Sequence, residues 1–282
     1  MENGGTVKEV VVVVGIGGMG MACARRLGSG RQLVIADYDG ARLAGCAAEL
    51  ESEGFAVVAH QVDVSTRPSV DDLARAVEKL GRLRTLVHTA GLSPTMASPA
   101  RVLEVDMLGT DHVLGAFLPL SEDGTAAVCI ASMAGYMAGL SPELEHTLAT
   151  VRTEELLAAL GPVEDLEFGA TYCIAKRVNQ LRVEQAAAAW GASGGRVVTI
   201  SPGIISTPMS LQELKEGAGD AMRQQLDLSA LPRMGTADDI AAAVEWLSSP
   251  AASFVTGCDL RIDGGVTAAI RGLGLGLGMK PA

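Results

Sequence analysis

Val10-Val11-Val12-Val13-Val14-Gly15-Ile16-Gly17-Gly18-Met19-Gly20 is the stretch from which the fold can be read. Its apolar run has the length and continuous hydrophobicity of a strand buried on both sides. A helical stretch, Met21 to Leu27, follows the glycines, so the segment reads as strand, turn and helix. Each glycine then has its own part to play. Gly15 permits the tight turn, Gly17 lets a pyrophosphate approach the backbone, and Gly20 lets the helix sit close to the strand. Gly18 and Met19 belong to the same phosphate-contacting turn. Glycine makes up 34 of 282 residues, so the spacing alone would describe an ordinary loop. The next strand, Gln32 to Ala36, supplies the context by ending at Asp37, 17 residues beyond Gly20. A carboxylate there can accept hydrogen bonds from the adenosine ribose hydroxyls and repels a 2′-phosphate. NAD(H) is therefore expected over NADP(H), with nearby Arg42 as the opposing feature.

Working outward, short apolar runs recur at Leu33 to Ala36, Ala56 to Val62, Thr85 to Thr89, Ala126 to Ala131, Arg196 to Ser201 and Cys258 to Ile262. Amphipathic stretches alternate with them, notably Ala41 to Glu53, Ser69 to Leu80, Ala100 to Leu118, Tyr172 to Trp190 and Ala237 to Ser248. Such alternation predicts crossover units, and hence an α/β, Rossmann-type, doubly wound parallel sheet with helices on both faces. No linker composition or internal repeat divides residues 1–282, so a single domain is expected. With nine aromatic residues, the core must be filled by Val, Leu, Ile, Ala and Met.

A net charge of −11 disfavours nucleic acid or an anionic membrane surface as partner. The opening Met1-Glu2-Asn3-Gly4-Gly5 carries no basic leader, and the apolar run behind it is too short to span a membrane, so a cytoplasmic protein is expected. Five cysteines (Cys23, Cys46, Cys129, Cys173, Cys258) form no Cys-x-x-Cys pair. They read as small core residues, with no metal expected.

Tyr172 and Lys176 stand four apart in Tyr172-Cys173-Ile174-Ala175-Lys176, on one face of one helix. A free tyrosine, with a pKa near ~10, is a poor base at neutral pH. A cation held close favours the phenolate and is expected to pull the value toward the working range. The order of the Gly15 turn, Asp37, Asp63-Val64, Ala90-Gly91, Ser132, Tyr172/Lys176, Pro202-Gly203 and Asp263-Gly264-Gly265 resembles the short-chain dehydrogenase/reductase family over nearly the whole chain. Within it, Ala90-Gly91-Leu92, Ala116-Phe117-Leu118-Pro119, Ala188-Ala189-Trp190-Gly191 and Ser249-Pro250-Ala251-Ala252-Ser253 are similar to the 3α-hydroxysteroid dehydrogenase/carbonyl reductase branch.

The resemblance implies that Tyr172 exchanges a proton with the substrate oxygen. Lys176 lowers its pKa and binds the nicotinamide ribose, and Ser132 holds the carbonyl oxygen. It also implies that Asp63 and Val64 flank the adenine and that Ala90 and Gly91 back the cofactor. Pro202, Gly203, Ile205 and Thr207 shape the carboxamide site, and Tyr38 and Thr89 belong to the same cofactor set. Ser132 can equally be a turn cap.

Three features depart from the family pattern. The glycine signature follows Val14 and is one residue short. His88-Thr89 stands where Asn-Asn is common, and His88 reads as a core residue. Asp106 stands where a helical asparagine holds a relay water, and it brings a negative charge toward Lys176.

Ser132 and Tyr172 are 40 positions apart, leaving room for an acidic helical insertion at about 137–170, with helices Pro142 to Ala149 and Thr153 to Leu160. It is expected at the mouth of the site, covering substrate or meeting a second subunit. A flexible tail is expected at about 270–282. Met209, Leu211, Leu214, Met222, Leu226, Leu228, Leu231 and Met234 suggest an apolar lid, suited to a steroid or other hydrophobic ketone, or else a helix packed on the core. The expected activity is reversible NAD-linked oxidation of a secondary alcohol by a homodimer or homotetramer. The alternative is an NAD-binding regulatory protein of the same fold with little turnover, against which the intact Ser132, Tyr172 and Lys176 argue.

Overall fold

The computed structural model describes residues 8–163, 166, 169–215 and 219–273. The first half runs β1 (Glu9–Val14), α1 (Gly18–Gly28), β2 (Gln32–Asp37), α2 (Gly40–Ser52), β3 (Ala56–Gln61), α3 (Arg67–Glu78) and β4 (Arg82–His88). It continues through α4 (Pro99–Val102), a π-helical turn (Leu103–Leu108), α5 (Gly109–Phe117), β5 (Ala126–Ile130), α6 (Pro142–Thr150), α7 (Leu156–Leu160), α8 (Ala170–Ala192) and β6 (Arg196–Pro202). The remainder is β7 (Ile205–Ser206), α9 (Pro208–Glu213), α10 (Gly219–Leu228), β8 (Gly235–Thr236), α11 (Ala237–Ser248), β9 (Asp259–Ile262) and α12 (Val266–Gly272). The expected tail lies outside the described residues from residue 274 onward, as does the start of the chain through residue 7.

Seven strands form one parallel sheet in the order β3-β2-β1-β4-β5-β6-β9. In β1 the side chains alternate between faces, as strand geometry requires. Val10, Val12 and Val14 pack with Val70 and Leu73 of α3, Phe117 of α5 and Trp190 of α8. Val11 and Val13 pack on the opposite face with Leu27 of α1, Leu50 of α2 and Val244 of α11. Five consecutive valines thus serve two helical layers at once. The expected doubly wound sheet is present, and the strand boundaries lie close to those read from hydrophobic runs.

One region differs from expectation. The stretch Ala100 to Leu118 is not one regular helix, because the π-helical turn at Leu103–Leu108 interrupts it. The inserted helices α6 and α7 make apolar contacts with the π turn and α8. Leu148 and Leu156 pack with Leu103 and Met107 of the π turn and with Ile174 and Val178 of α8, burying the side of α8 away from the sheet. Arg182 of α8 fastens this layer through a 2.6 Å ion pair to Asp111 and bonds to the Ala149 and Val151 carbonyls. Gly169, just before α8, lies close to Pro94. The cysteines also divide: Cys23 and Cys129 are buried, Cys46 and Cys173 half-buried, and Cys258 is exposed rather than in the core.

The glycine turn is held by close approach. Gly15 has φ +92°, the left-handed region that favours glycine, and its amide donates to the Ala36 carbonyl at 2.7 Å. A Cβ on Gly20 would overlap the Gly15 carbonyl oxygen, whereas a Cβ on Gly17 would meet nothing within 4 Å. Gly20→Ala is therefore expected to cost about 1–3 kcal/mol of stability. Gly17→Ala should cost markedly less. Chemical denaturation of both variants checks this, and equal losses would show that packing at Gly20 does not set the turn.

Candidate active site

The sheet order reverses between β1 and β4, and a crevice opens there beyond the carboxyl ends of the strands. Thr89 and Ala90 close it below by donating backbone amides to the Val14 carbonyl at 2.7 and 2.9 Å. One part of the crevice, about 380 Å³, is lined by Gly15, Gly17, Asp37, Tyr38, Asp63, Val64, Thr89, Ala90 and Gly91. An adjoining part, about 500 Å³, is lined by Gly17, Gly18, Met19, Gly20, Thr89 and Thr207. Gly17, Arg42, Thr89, Met96 and Met209 border both, so the two parts are halves of one cleft. Pro202 ends β6. Gly203 and Ile205 border instead a cavity of about 140 Å³ beneath Gln225 to Arg233, so Thr207 is the member of that group that reaches the cleft.

These residues fit a dinucleotide. The open space over Gly17 lets an anion meet the backbone at the N-terminus of the 11-residue helix α1, where amides and helix dipole both favour negative charge. Asp37 accepts the Ile16 amide at 2.8 Å on one oxygen and the Asp39 amide at 3.0 Å on the other. Each oxygen keeps a lone pair for a ribose hydroxyl. Around the rim, Arg42 lies 3.7 Å from Asp39, and Arg101 is paired with Asp63 and Glu104 at 3.2 and 3.0 Å.

The groups read from sequence as catalytic lie at the end of β5 and on α8. Ser132 follows β5 and caps the turn after it, accepting the Ala134 amide at 3.1 Å, so it fills the capping role read from sequence. It also lies close enough to the Tyr172 phenol to work toward lowering its pKa. One helical turn on, the Lys176 ammonium lies 5.4 Å from the Tyr172 ring centroid. Burial raises the Tyr172 pKa, Lys176 opposes this, Asp106 adds to it, Ser132 opposes it, and the Glu213 carboxylate at the end of α9 adds to it. The expectation that the lysine would draw the phenol toward neutrality is therefore corrected. Desolvation and a facing carboxylate outweigh the cation in the protein alone.

Asp106 projects from the π turn, a distortion found often at functional sites. One oxygen lies 2.9 Å from the Lys176 ammonium and the other accepts the Leu92 amide at 2.7 Å. Both side chains are buried, at 6% exposure for Lys176 and 0% for Asp106. Burial pushes the Asp106 pKa up, against the pull of Lys176 and the Leu92 amide. For Lys176, burial lowers the pKa, but Asp106 and Tyr172 together outweigh it and the net shift is upward. Gly91 makes the pair possible, since a Cβ there would stand 3.0 Å from both the ammonium and the carboxylate.

His88 lies in the interior near this pair. It is 1% exposed, and burial, aided by the Lys176 charge, lowers its pKa to about 3. The Thr110 hydroxyl donates to the Asp106 carbonyl at 2.9 Å, so His88 Nε2 is the donor to Thr110 at 3.2 Å. The core reading of this histidine holds.

Met96, on the loop after β4, lines the cleft and escaped sequence reasoning, whereas Met209 of α9, read from sequence as part of an apolar lid, lines it too and is 38% exposed. Leu211 and Leu231 are 44% and 57% exposed, so the segment from α9 onward presents an apolar surface rather than burying all of it. Arg101 gave no signal beyond being a helical arginine.

Comparison with known proteins agrees with this geometry. Residues 8–142 match the short chain dehydrogenase family model, and residues 157–267 match a model described as enoyl-(acyl carrier protein) reductase. A short-chain dehydrogenase/reductase of Alternaria brassicicola is 31% identical over 93% of this chain and 96% of its own length. A 3-alpha-hydroxysteroid dehydrogenase/carbonyl reductase of Comamonas testosteroni is 32% identical over 66% of this chain and 73% of its own. Among solved structures, a short-chain type dehydrogenase/reductase from Mycobacterium ulcerans superposes with a TM-score of 0.73 at 27% identity, covering 93% of this chain and 90% of that one. With the glycine turn at the switch point and Ser132, Tyr172 and Lys176 assembled beside it, the chain belongs to the short-chain dehydrogenase/reductase family of oxidoreductases.

Proposed function

We propose that the protein interconverts a secondary alcohol and a ketone using NAD(H), on a hydrophobic substrate. The observation that carries this reading is the Tyr172 ring, 5.4 Å from the Lys176 ammonium one helical turn on, with Ser132 near its phenol. When bound, the nicotinamide supplies or accepts the hydride. Ser132 and Tyr172 hold the substrate oxygen, and Tyr172 gives it a proton in reduction or takes one in oxidation. Lys176 stabilises the phenolate and would hold the nicotinamide ribose, while Asp106 fixes the ammonium in place. Gly15 to Gly20 with Asp37 would hold the pyrophosphate and the adenosine ribose.

NAD(H) over NADP(H) is supported by charge. Asp37 sits where a 2′-phosphate would approach, and both rim arginines, Arg42 and Arg101, already face carboxylates. The exposed apolar residues Met209, Leu211 and Leu231 support a hydrophobic substrate. A hydroxysteroid is the first to test, since the Comamonas testosteroni relative is named for that activity.

Tyr172→Phe removes only the hydroxyl, so turnover should fall at least ~100-fold while NADH still binds. Undiminished turnover would place the proton elsewhere. Asp37→Ala should narrow the preference for NAD over NADP, and kcat/KM with each cofactor measures it. Equal use of both by the unaltered protein would refute the cofactor assignment.

Asp106→Asn removes the charge that raises the Tyr172 pKa and keeps an acceptor for the Leu92 amide. Oxidation requires the phenolate, so its rate rises with pH through the Tyr172 pKa. With Lys176 still protonated against the phenolate, that limb should move toward lower pH in the variant. Profiles of kcat/KM against pH that coincide, or a shift upward, would show that Asp106 does not act through its charge.

A further inference from the structure

We propose that Tyr136 and Gln180 are positioning residues for Ser132, joined through a polar chain that runs from the inserted helix α6 to the sheet edge at β9. The proposal rests on the part given to Ser132 in the proposed reaction and adds residues that act through it. The chain starts at Glu145 of α6, which accepts two bonds from Arg177 of α8 at 2.6 and 2.8 Å. Arg177 donates to Gln180 Oε1 at 3.0 Å, and Gln180 Nε2 donates to the Ser201 hydroxyl at 2.9 Å. That hydroxyl donates in turn to Asp259 of β9 at 2.8 Å. A guanidinium cannot accept and a carboxylate cannot donate, so every proton from Arg177 to Asp259 points the same way and each bond reinforces the next. Gln180 and Ser201 are 4% and 0% exposed, which leaves water little access to compete.

Both ends of this chain close on one turn. Ser132 opens the 3₁₀ turn Met133–Met137 and its hydroxyl accepts the Ala134 amide at 3.1 Å, so the turn's backbone fixes where that oxygen sits. On one side Tyr136, within the turn, donates its hydroxyl to the second Asp259 oxygen at 2.6 Å. Burial and the Asp259 carboxylate raise the Tyr136 pKa to about 12, so this phenol stays a donor. Its ring lies near two cations, with the Arg261 and Arg271 guanidinium carbons 5.4 and 5.2 Å from the centroid. On the other side Gln180 Nε2 reaches the Ser132 carbonyl at 3.4 Å. Gly135 lets the turn lie against α8, since a Cβ there would stand 2.9 Å from Gln180 Nε2 and 3.0 Å from the Arg177 amide nitrogen. Misplacing a reacting group by ~1 Å can cost about 100-fold in rate, so a turn gripped from two sides bears directly on Ser132.

A double-mutant cycle with Ser132→Ala in the full-length protein, read as kcat for alcohol oxidation at saturating NAD+, tests this. Tyr136→Phe removes one hydroxyl and keeps the ring beside the two arginines. It should lower kcat about tenfold, the size of one hydrogen bond to a charged group, with the KM for NAD+ unchanged and the melting temperature within a few degrees of native. Gln180→Glu keeps the acceptor for Arg177, loses the donor, and should act in the same way. In the Ser132→Ala background neither substitution should lower kcat further, because the hydroxyl that they position is gone. Losses that multiply in that background would show that both residues act elsewhere and would overturn the proposal, as would native kcat in Tyr136→Phe. Native turnover in Ser132→Ala alone, or no oxidation of any alcohol by the unaltered protein, would instead overturn the proposed reaction, and this inference would fall with it.

Discussion

A lysine and an aspartate in direct contact inside the protein, Lys176 and Asp106 at 2.9 Å, constrain most of what surrounds them. Two charges removed from water are costly unless geometry and further hydrogen bonds compensate. Compensation here comes from several elements. The Leu92 amide satisfies the second Asp106 oxygen, Gly91 leaves the space, and the Tyr172 ring shares the ammonium. The inserted layer of α6 and α7, packed on both the π turn and α8, holds the two segments that carry the pair. Removing one partner alone would leave the other charge buried and uncompensated, so packing around the site and its electrostatics cannot vary independently.

The pair also sets the chemistry of Tyr172. The Lys176 ammonium favours the Tyr172 phenolate, but burial and the Asp106 carboxylate outweigh it and the phenol's pKa is raised. In the proposed reaction that bias would favour the phenol as a proton donor, and oxidation would call for more alkaline conditions. The cleft beside it is built from different physics. Its floor is the reversal of strand order between β1 and β4, the start of α1 is its proposed anion site, and its rim is a set of arginines already matched to carboxylates.

Much of this was legible in the chain. The valines of β1 announced a strand buried on both faces, and the resemblance pointed to the glycines, Asp37, Ser132, Tyr172 and Lys176, which the structure gathers around one crevice. Asp106 stood out because the resemblance placed an asparagine there. Other features depend on distant contacts that no local pattern records. The π turn does not disturb the apolar spacing enough to be seen. The position of α6 and α7 follows from Leu148 and Leu156 finding partners on α8, not from their own sequence. Arg101 resembles any solvated helical arginine until Tyr38 and Asp63 are brought to it. The direction of the Tyr172 shift turns on burial, which four-residue spacing does not report.

The central claim is that Asp106 is an ionised carboxylate paired with the Lys176 ammonium inside the protein. Carboxyl-carbon NMR of the aspartate-labelled protein near neutral pH, with the Asp106 resonance assigned by its loss in Asp106→Asn, tests it directly. The account predicts the chemical shift of a carboxylate for Asp106. The shift of a neutral carboxylic acid at that pH would contradict it.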